Sequence, residues 1–167
     1  MRRQLNPDEL DALYREIGKG IWHLQYVEDA LCTLITLKVE VKTPGQVPHE
    51  EAQRLLAKHR RNTLGTSLRI AKESNIVTSS LEAQLAHFKE ERDWVVHRSL
   101  NSHSELLYTD EGRAEMFERL EKFFSEATAL QHAIVNELAS YAESHGISIA
   151  VVEARAQTKI ARLKGEA

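Results

Sequence analysis

The chain has 167 residues, of which 42% are hydrophobic and 28% are charged, a composition ordinary for one soluble globular domain. Its formal net charge of −3 argues against a protein that coats nucleic acid generally, so any nucleic-acid contact must be local. The only cysteine, Cys32, excludes an intrachain disulfide framework, and its apolar surroundings predict a buried thiol.

Targeting and membrane segments are not expected from the sequence. No apolar run reaches the roughly 18 residues that a membrane helix needs. The N-terminal residues 1–7 contain two arginines but no apolar run after them, so they do not form a signal peptide. The sequence therefore predicts a cytoplasmic protein that does not contact a membrane.

The first half of the chain shows two helical patterns. Asn6 followed by Pro7 is a helix start, because a capping side chain precedes a proline at the first helical position. Apolar residues at helical spacing predict one long helix over 7–40, which the loop 42–48 ends. A second helix is predicted over 49–74. Its leucines fall on two different sides, which indicates a bend or burial on two sides.

Three more helices are predicted in the second half. The third begins with a capping-box pattern at Ser79 and ends near Leu100. Asp110 is a plausible cap for the fourth, and the pair His145-Gly146 stops it. The fifth is capped by Ser148. Helix count and short loops therefore predict an all-α, up-and-down four-helix bundle with an additional C-terminal helix, as a single domain over 1–167.

Two charged residues stand within otherwise apolar stripes. Arg92 falls in the middle of the stripe of the third helix, and Glu28 falls in the middle of the stripe of the first. An unpaired buried charge is very costly, so Glu28 and Arg92 are expected to form an ion pair. Such a pair either only fixes the register of the two helices or forms part of a functional site, and the sequence leaves both interpretations open.

A histidine follows on the same helix. Asp93 and His97 are spaced i, i+4, so the acid could fix the tautomer of the imidazole and raise its pKa. Arg92 and His97 are about 140° apart on a regular helix and do not converge by spacing alone. Three solutions are open: the arginine side chain bends round, the helix is distorted, or a second subunit completes the site.

The segment 91–98, ERDWVVHR, resembles the motif of HEPN domains (higher eukaryote and prokaryote nucleotide-binding). That motif is an arginine, a polar residue, a few more residues and then a histidine, commonly followed by another basic residue. The chain length, the helical pattern and the position of the segment on the third helix are also typical of that family.

The resemblance implies a metal-independent endoribonuclease that works as a homodimer, with the two motifs facing each other across a cleft. The ribose 2′-hydroxyl would attack the adjacent phosphate and leave a cyclic phosphate end. His97 would be the catalytic proton-transfer residue, Arg92 would bind or stabilise the phosphate, and Asp93 would orient one of them. Arg98, the basic residue after the histidine, would contribute to binding. No cofactor and no metal are expected, and no histidine pair has a zinc-binding spacing.

The resemblance also implies partners. Such proteins often act as toxins or phage-defence factors beside a nucleotidyltransferase-like antitoxin, so RNA and an antitoxin of this kind are expected. Other members have lost catalysis and bind only nucleotides or partner proteins. On that alternative the chain is an interaction module in which Arg92 is structural and His97 is incidental.

Two surfaces are candidates for RNA contact. Four basic side chains of the predicted second helix fall on one stripe: Arg54, Lys58, Arg61 and Lys72. The stripe either contacts phosphates or is a solvated surface face. Trp22 and Tyr26 form an aromatic pair off the main apolar stripe of the first helix. This pair could stack a base, or it could form a second packing or dimer surface.

Overall fold

The computed structural model describes residues 2–166, with the exception of the side chain of Ser102, and every regular element in that range is helical. The all-α class is therefore confirmed. Met1 and Ala167, the ends of the predicted domain, lie outside the described residues. The α-helices are α1 (Pro7–Ile35), α2 (His49–His59), α3 (Leu64–Glu73), α4 (Ser79–Asp93), α5 (Ser99–His103), α6 (Asp110–Ser144) and α7 (Ile149–Lys164).

Two of these helices continue into wider π-helical turns. Thr36–Val41 extends α1, and Trp94–Arg98 joins α4 to α5. A 3₁₀ segment, Ser104–Tyr108, then leads into α6. The predicted first helix over 7–40 is thus confirmed in extent, whereas the predicted third helix contains a distortion that its apolar spacing did not reveal.

The helix starts follow local capping chemistry. Asn6 and Glu9 form a complete capping box at α1, in which each side chain accepts a hydrogen bond from the backbone of the other residue. The caps of α4 and α6 lie one residue earlier than predicted, at Thr78 and Thr109. Ser148 occupies the cap position of α7, but its side chain makes no capping hydrogen bond.

The single helix predicted over 49–74 is wrong, because the segment 60–63 separates α2 from α3. Arg60 closes α2, and the side chain of Thr63 accepts a hydrogen bond from the backbone N–H of Thr66 to start a new helix. The leucines that fell on two sides of one predicted helix therefore belong to two helices with different axes.

The long helices α1 and α6 pack side by side in the same direction. The residue numbers of the contacting pairs increase along both helices: Glu9 contacts Arg113 at 3.5 Å, Gly20 contacts Phe123, and Lys38 at the end of the first helix contacts Glu137. Four helices that alternated strictly in direction would make the first and last antiparallel. The parallel arrangement of α1 and α6 therefore differs from a simple up-and-down bundle of four helices.

The core lies between α1, α4 and α6. Phe88 of α4 stacks on Phe123 of α6, with ring centroids 4.9 Å apart and an interplanar angle of 4°. A Cβ atom at Gly20 would come within 3.1 Å of the Phe123 ring, so glycine lets that ring lie against α1. These contacts place the end of α4, with its Arg92, beside the middle of α1.

The C-terminal helix α7 contributes nothing to this core. None of its residues is buried, and the exposed fraction of Leu163 is 80%. No helix within residues 2–166 combines the length and the apolar character needed to cross a membrane.

Candidate functional site

The π turn lies inside the segment that carries Arg92 and His97. The backbone N–H of Ser99 donates to the carbonyl of Trp94, an i→i+5 hydrogen bond in place of i→i+4. Each residue of such a turn advances by less than the 100° of an α-helix, so the angle between Arg92 and His97 is smaller than on a regular helix. Helix distortion, one of the three solutions left open by the spacing, is therefore present.

Trp94 fastens this turn to the bundle. Its side chain is buried, and the indole N–H donates to Nδ1 of His103 at 2.9 Å. The guanidinium of Arg119 lies 3.7 Å from the centre of a Trp94 ring and donates to Glu91 at 2.8 and 3.0 Å. The turn is thus held on both sides, while the side chain of His97 is exposed to solvent.

Arg92 is held loosely by comparison. Its side chain is 22% exposed, and Nη1 donates to Oδ1 of Asp93 at 3.0 Å. Nη2 lies 3.8 Å from Oε1 of Glu28, so the structure brings the expected ion pair together, but at a distance too long for a hydrogen bond. Its Nε is buried and has no hydrogen-bond partner among the described residues.

Asp93 contacts Arg92 rather than His97. The carboxylate accepts hydrogen bonds from Lys89 at 2.8 Å and from Arg92 at 3.0 Å, and these contacts, that of Lys89 first, lower the pKa of Asp93. Within residues 2–166, no hydrogen bond joins Asp93 to His97. The expected i, i+4 contact does not form, because the π turn starts at Trp94, directly after Asp93.

Glu28 is a half-buried carboxyl, 32% exposed at its side chain. Burial raises its pKa, and the charge of Arg92 opposes the rise only in part. No protein group in the described part of the chain donates a hydrogen bond to it. The pair with Arg92 is therefore a weakly coupled contact rather than a tight buried salt bridge.

Glu28 also lines a polar cleft between α1 and the start of α3 that the sequence did not suggest. The cavity has a volume of about 140 Å³ and is lined by Gln25, Glu28, Asp29, Cys32, Arg60, Asn62, Leu64 and Ser67. At its rim, Nε of Arg60 donates to Asp29 at 2.6 Å. No local sequence pattern predicts the cleft, because its walls come from segments about 30 residues apart.

The thiol of Cys32 belongs to this cleft and is buried, as predicted. Its S–H donates to the backbone carbonyl of His59 at 3.3 Å. Burial raises the pKa of the thiol, and a thiol held protonated is a poor nucleophile. Cys32 therefore contributes shape to the cleft rather than reactivity.

The predicted basic stripe does not form one surface, because Arg54 and Lys58 lie on α2, Arg61 lies in the segment between α2 and α3, and Lys72 lies on α3. Most of these side chains are also neutralised locally. Arg54 donates to Glu51 at 2.7 and 2.8 Å, Lys58 to Glu40 at 3.1 Å, and Lys72 lies 2.6 Å from Glu82, whereas Arg61 is exposed. Arg98 is also exposed and donates to the backbone carbonyl of Glu90 at 3.3 Å.

The aromatic pair of α1 remains on the surface. Trp22 is 59% exposed and Tyr26 is 42% exposed. The indole N–H of Trp22 donates to the hydroxyl oxygen of Tyr26 at 2.8 Å, and the rings meet edge to face with centroids 6.0 Å apart. Neither ring fills the core, so the pair is available to a partner or a base.

Comparison of this chain with protein-family models, with curated proteins and with solved structures found no match. Within residues 2–166, no group of three or more His, Cys, Asp or Glu side chains is arranged to hold a metal ion. The case for a function therefore rests on the chain's own residues.

Proposed function

We propose that the protein is a metal-independent endoribonuclease of HEPN type whose site contains Arg92 and His97. The observation that carries the proposal is the state of Arg92: its Nε–H is buried without an acceptor, directly before a π turn that presents His97. A guanidinium with unused donors matches the oxygens of a phosphate, and π turns occur frequently at functional sites.

The reaction requires little beyond these groups. The 2′-oxygen attacks the adjacent phosphorus, the bond from phosphorus to the 5′-oxygen breaks, and a 2′,3′-cyclic phosphate and a 5′-hydroxyl result. His97 transfers the proton that leaves the 2′-hydroxyl or the one that the 5′-oxygen takes up. Arg92 stabilises the charge on the phosphate, and Asp93 orients the Arg92 side chain through its 3.0 Å contact.

A homodimer follows from this proposal, because one imidazole does not perform both proton transfers at once. Light scattering should report about twice the 19.0 kDa of one chain. Biologically, we propose a toxin or phage-defence factor whose partner is a nucleotidyltransferase-like antitoxin. A strict monomer at micromolar concentration would leave the site without its second half.

A non-catalytic nucleotide- or protein-binding module of the same fold is the second candidate. The contacts of Arg92 with Glu28 and Asp93 favour it, since an arginine that only fixes helix register would make the same contacts. On this candidate, removal of His97 would have no effect on any binding activity.

The deciding experiment is RNA cleavage by the purified protein in EDTA. Cleavage should leave cyclic phosphate ends and have a pH optimum near neutrality, and it should be lost in His97→Ala. The matched control is His132→Ala, which removes an exposed histidine of α6 and should leave cleavage intact. Cleavage that needs Mg²⁺ or survives His97→Ala would refute the mechanism. Absence of cleavage by a folded dimer would favour the binding module.

A further inference from the structure

Two polar groups that the polypeptide leaves unsatisfied lie side by side. The buried Nε–H of Arg92 lacks an acceptor among the described residues. The half-buried carboxyl of Glu28 receives no hydrogen bond from them and touches Arg92 only at 3.8 Å. Buried polar groups in folded proteins nearly always have partners, so the buried Nε–H of Arg92 calls for an acceptor, and the partly exposed carboxylate beside it is free to accept hydrogen bonds from the same ligand.

Glu28 connects this deficit to the polar cleft. The cavity of about 140 Å³ is smaller than the roughly 300–1,000 Å³ of a typical ligand pocket, so it suits a single base better than a whole nucleotide. Its walls combine the apolar Leu64 and Cys32 with the amides of Gln25 and Asn62. The remaining lining residues are polar or charged, and convergent polar groups of this kind fix the orientation of a small ligand.

The polar groups of the cleft select among planar rings. A carboxylate accepts two parallel hydrogen bonds best from two adjacent N–H donors, and among the RNA bases only guanine presents such a pair, at N1 and N2. The amides of Gln25 and Asn62 can donate to its ring acceptors. Asn62 has only a long contact of 3.4 Å, with Nδ1 of His59, so its amide is available.

We infer that the cleft binds a guanine base, with Glu28 accepting from its N–H donors and Arg92 binding a phosphate attached to the same nucleoside. The inference rests on the proposed function in taking that phosphate as the scissile one. It makes the protein a ribonuclease that cleaves beside guanosine in single-stranded RNA, where bases are free to leave the stack.

Mononucleotide binding tests the cleft without cleavage. In EDTA, calorimetry with 5′-GMP should give a Kd roughly 10- to 100-fold lower than with AMP, CMP or UMP. Inosine monophosphate, which lacks the N2 amino group, should bind more weakly than GMP. Asn62→Leu and Glu28→Gln should abolish the preference, whereas Asn136→Leu, at an exposed amide of α6, should keep it. Circular dichroism should show that all variants stay folded.

Equal affinity for all mononucleotides, or a preference that survives both cleft variants, would overturn the guanine site. RNA cleavage in EDTA tests the proposed function separately. Cleavage without base preference would support the ribonuclease proposal and refute the guanine site in the cleft. Selective GMP binding without cleavage of any RNA would support the cleft and refute the ribonuclease. An oligonucleotide with a single guanosine should bind more tightly than GMP, and the reverse order would overturn the assignment to RNA.

Discussion

Two arginines meet glutamates of α1 at different levels of the bundle, and they are treated very differently. Arg113, only 6% exposed, donates to the carbonyl of Leu107 at 3.0 Å and to Asp110, and its Nε lies 3.5 Å from Glu9. Arg92 has one hydrogen bond, to its own neighbour in the chain, and an orphaned Nε. The chain uses the donors of Arg113, whereas Nε of Arg92 has no acceptor among the described residues.

The two glutamates differ in the same sense. Glu9 accepts from Arg3 at 2.6 Å and from the backbone N–H of Asn6 at 2.9 Å. These contacts, that of Arg3 first, lower the pKa of Glu9 to about 2. Burial instead raises the pKa of Glu28. The surroundings of Glu9 stabilise its ionised carboxylate, whereas burial disfavours the ionised form of Glu28.

The largest expected effect is on stability at Arg113. Arg113→Met should lower the free energy of unfolding by about 2–4 kcal/mol, because charge-assisted hydrogen bonds of a buried side chain are lost. Arg92→Met should cost less than about 1 kcal/mol, since its ion pair is loose and partly exposed. Urea unfolding followed by circular dichroism measures both. Equal losses would mean that Arg92 is as structural as Arg113.

The next effect separates the two arginines by activity. Arg92→Lys should reduce RNA cleavage about 100-fold while leaving stability unchanged, because a point charge does not reproduce the planar donors that hold a phosphate. Arg113→Lys should do the opposite and destabilise the bundle while sparing the cleavage rate of the folded fraction. An Arg92→Lys enzyme with full activity would contradict a role for the guanidinium.

A smaller effect is expected at Glu28. Loss of one partner from a fully buried pair costs about 3–5 kcal/mol, but the partial exposure of both side chains places Glu28→Gln within about 1 kcal/mol of the wild type at pH 7. Thermal unfolding of the two proteins measures the difference. A loss of several kcal/mol would show that the Glu28–Arg92 pair is tight in solution.

The pH dependence sharpens the comparison of the glutamates. At a pH between the ordinary pKa of Glu28 and its raised pKa, the folded protein keeps a proton on this carboxyl that the unfolded chain has released. The Glu28 contribution is fully present below the ordinary value of 4.5 and is lost as pH rises through the raised pKa. Glu9 behaves oppositely: its contribution is present above 4.5 and is lost as pH falls towards 2. The difference in free energy of unfolding between wild type and variant, measured against pH, should fall with rising pH for Glu28→Gln and rise with rising pH for Glu9→Gln. Slopes of the same sign would contradict this account.

The smallest effect is expected at the imidazole. His97→Ala should change the free energy of unfolding by no more than about 0.5 kcal/mol, because the side chain is exposed and the π turn is held by Trp94. Urea unfolding of the variant checks this. A clear loss of stability would mean that lost cleavage in this variant could result from unfolding instead of from the missing imidazole. It would also contradict the conclusion that Trp94 stabilises the π turn.

Local signals in the sequence were sufficient for much of the fold. Asn6 and Pro7 predicted the start of α1 correctly, because a capping side chain and the fixed backbone angle of proline act within a few residues. A charge in an apolar stripe likewise required a partner, and Glu28 and Arg92 do lie next to each other. The broken second helix was visible only as leucines on two sides, since propensity alone does not choose between a bend and a break.

The sequence by itself therefore determined the all-α class, the main helix starts, the buried Cys32 and the proximity of Glu28 to Arg92. Only the tertiary structure decided that α1 and α6 run parallel, that a π turn follows Asp93, and that a cleft joins α1 to α3. The physical reason is range. Caps and periodicity act between residues a few positions apart, whereas a cavity and an unsatisfied donor exist only after distant segments have packed and used, or failed to use, each polar group.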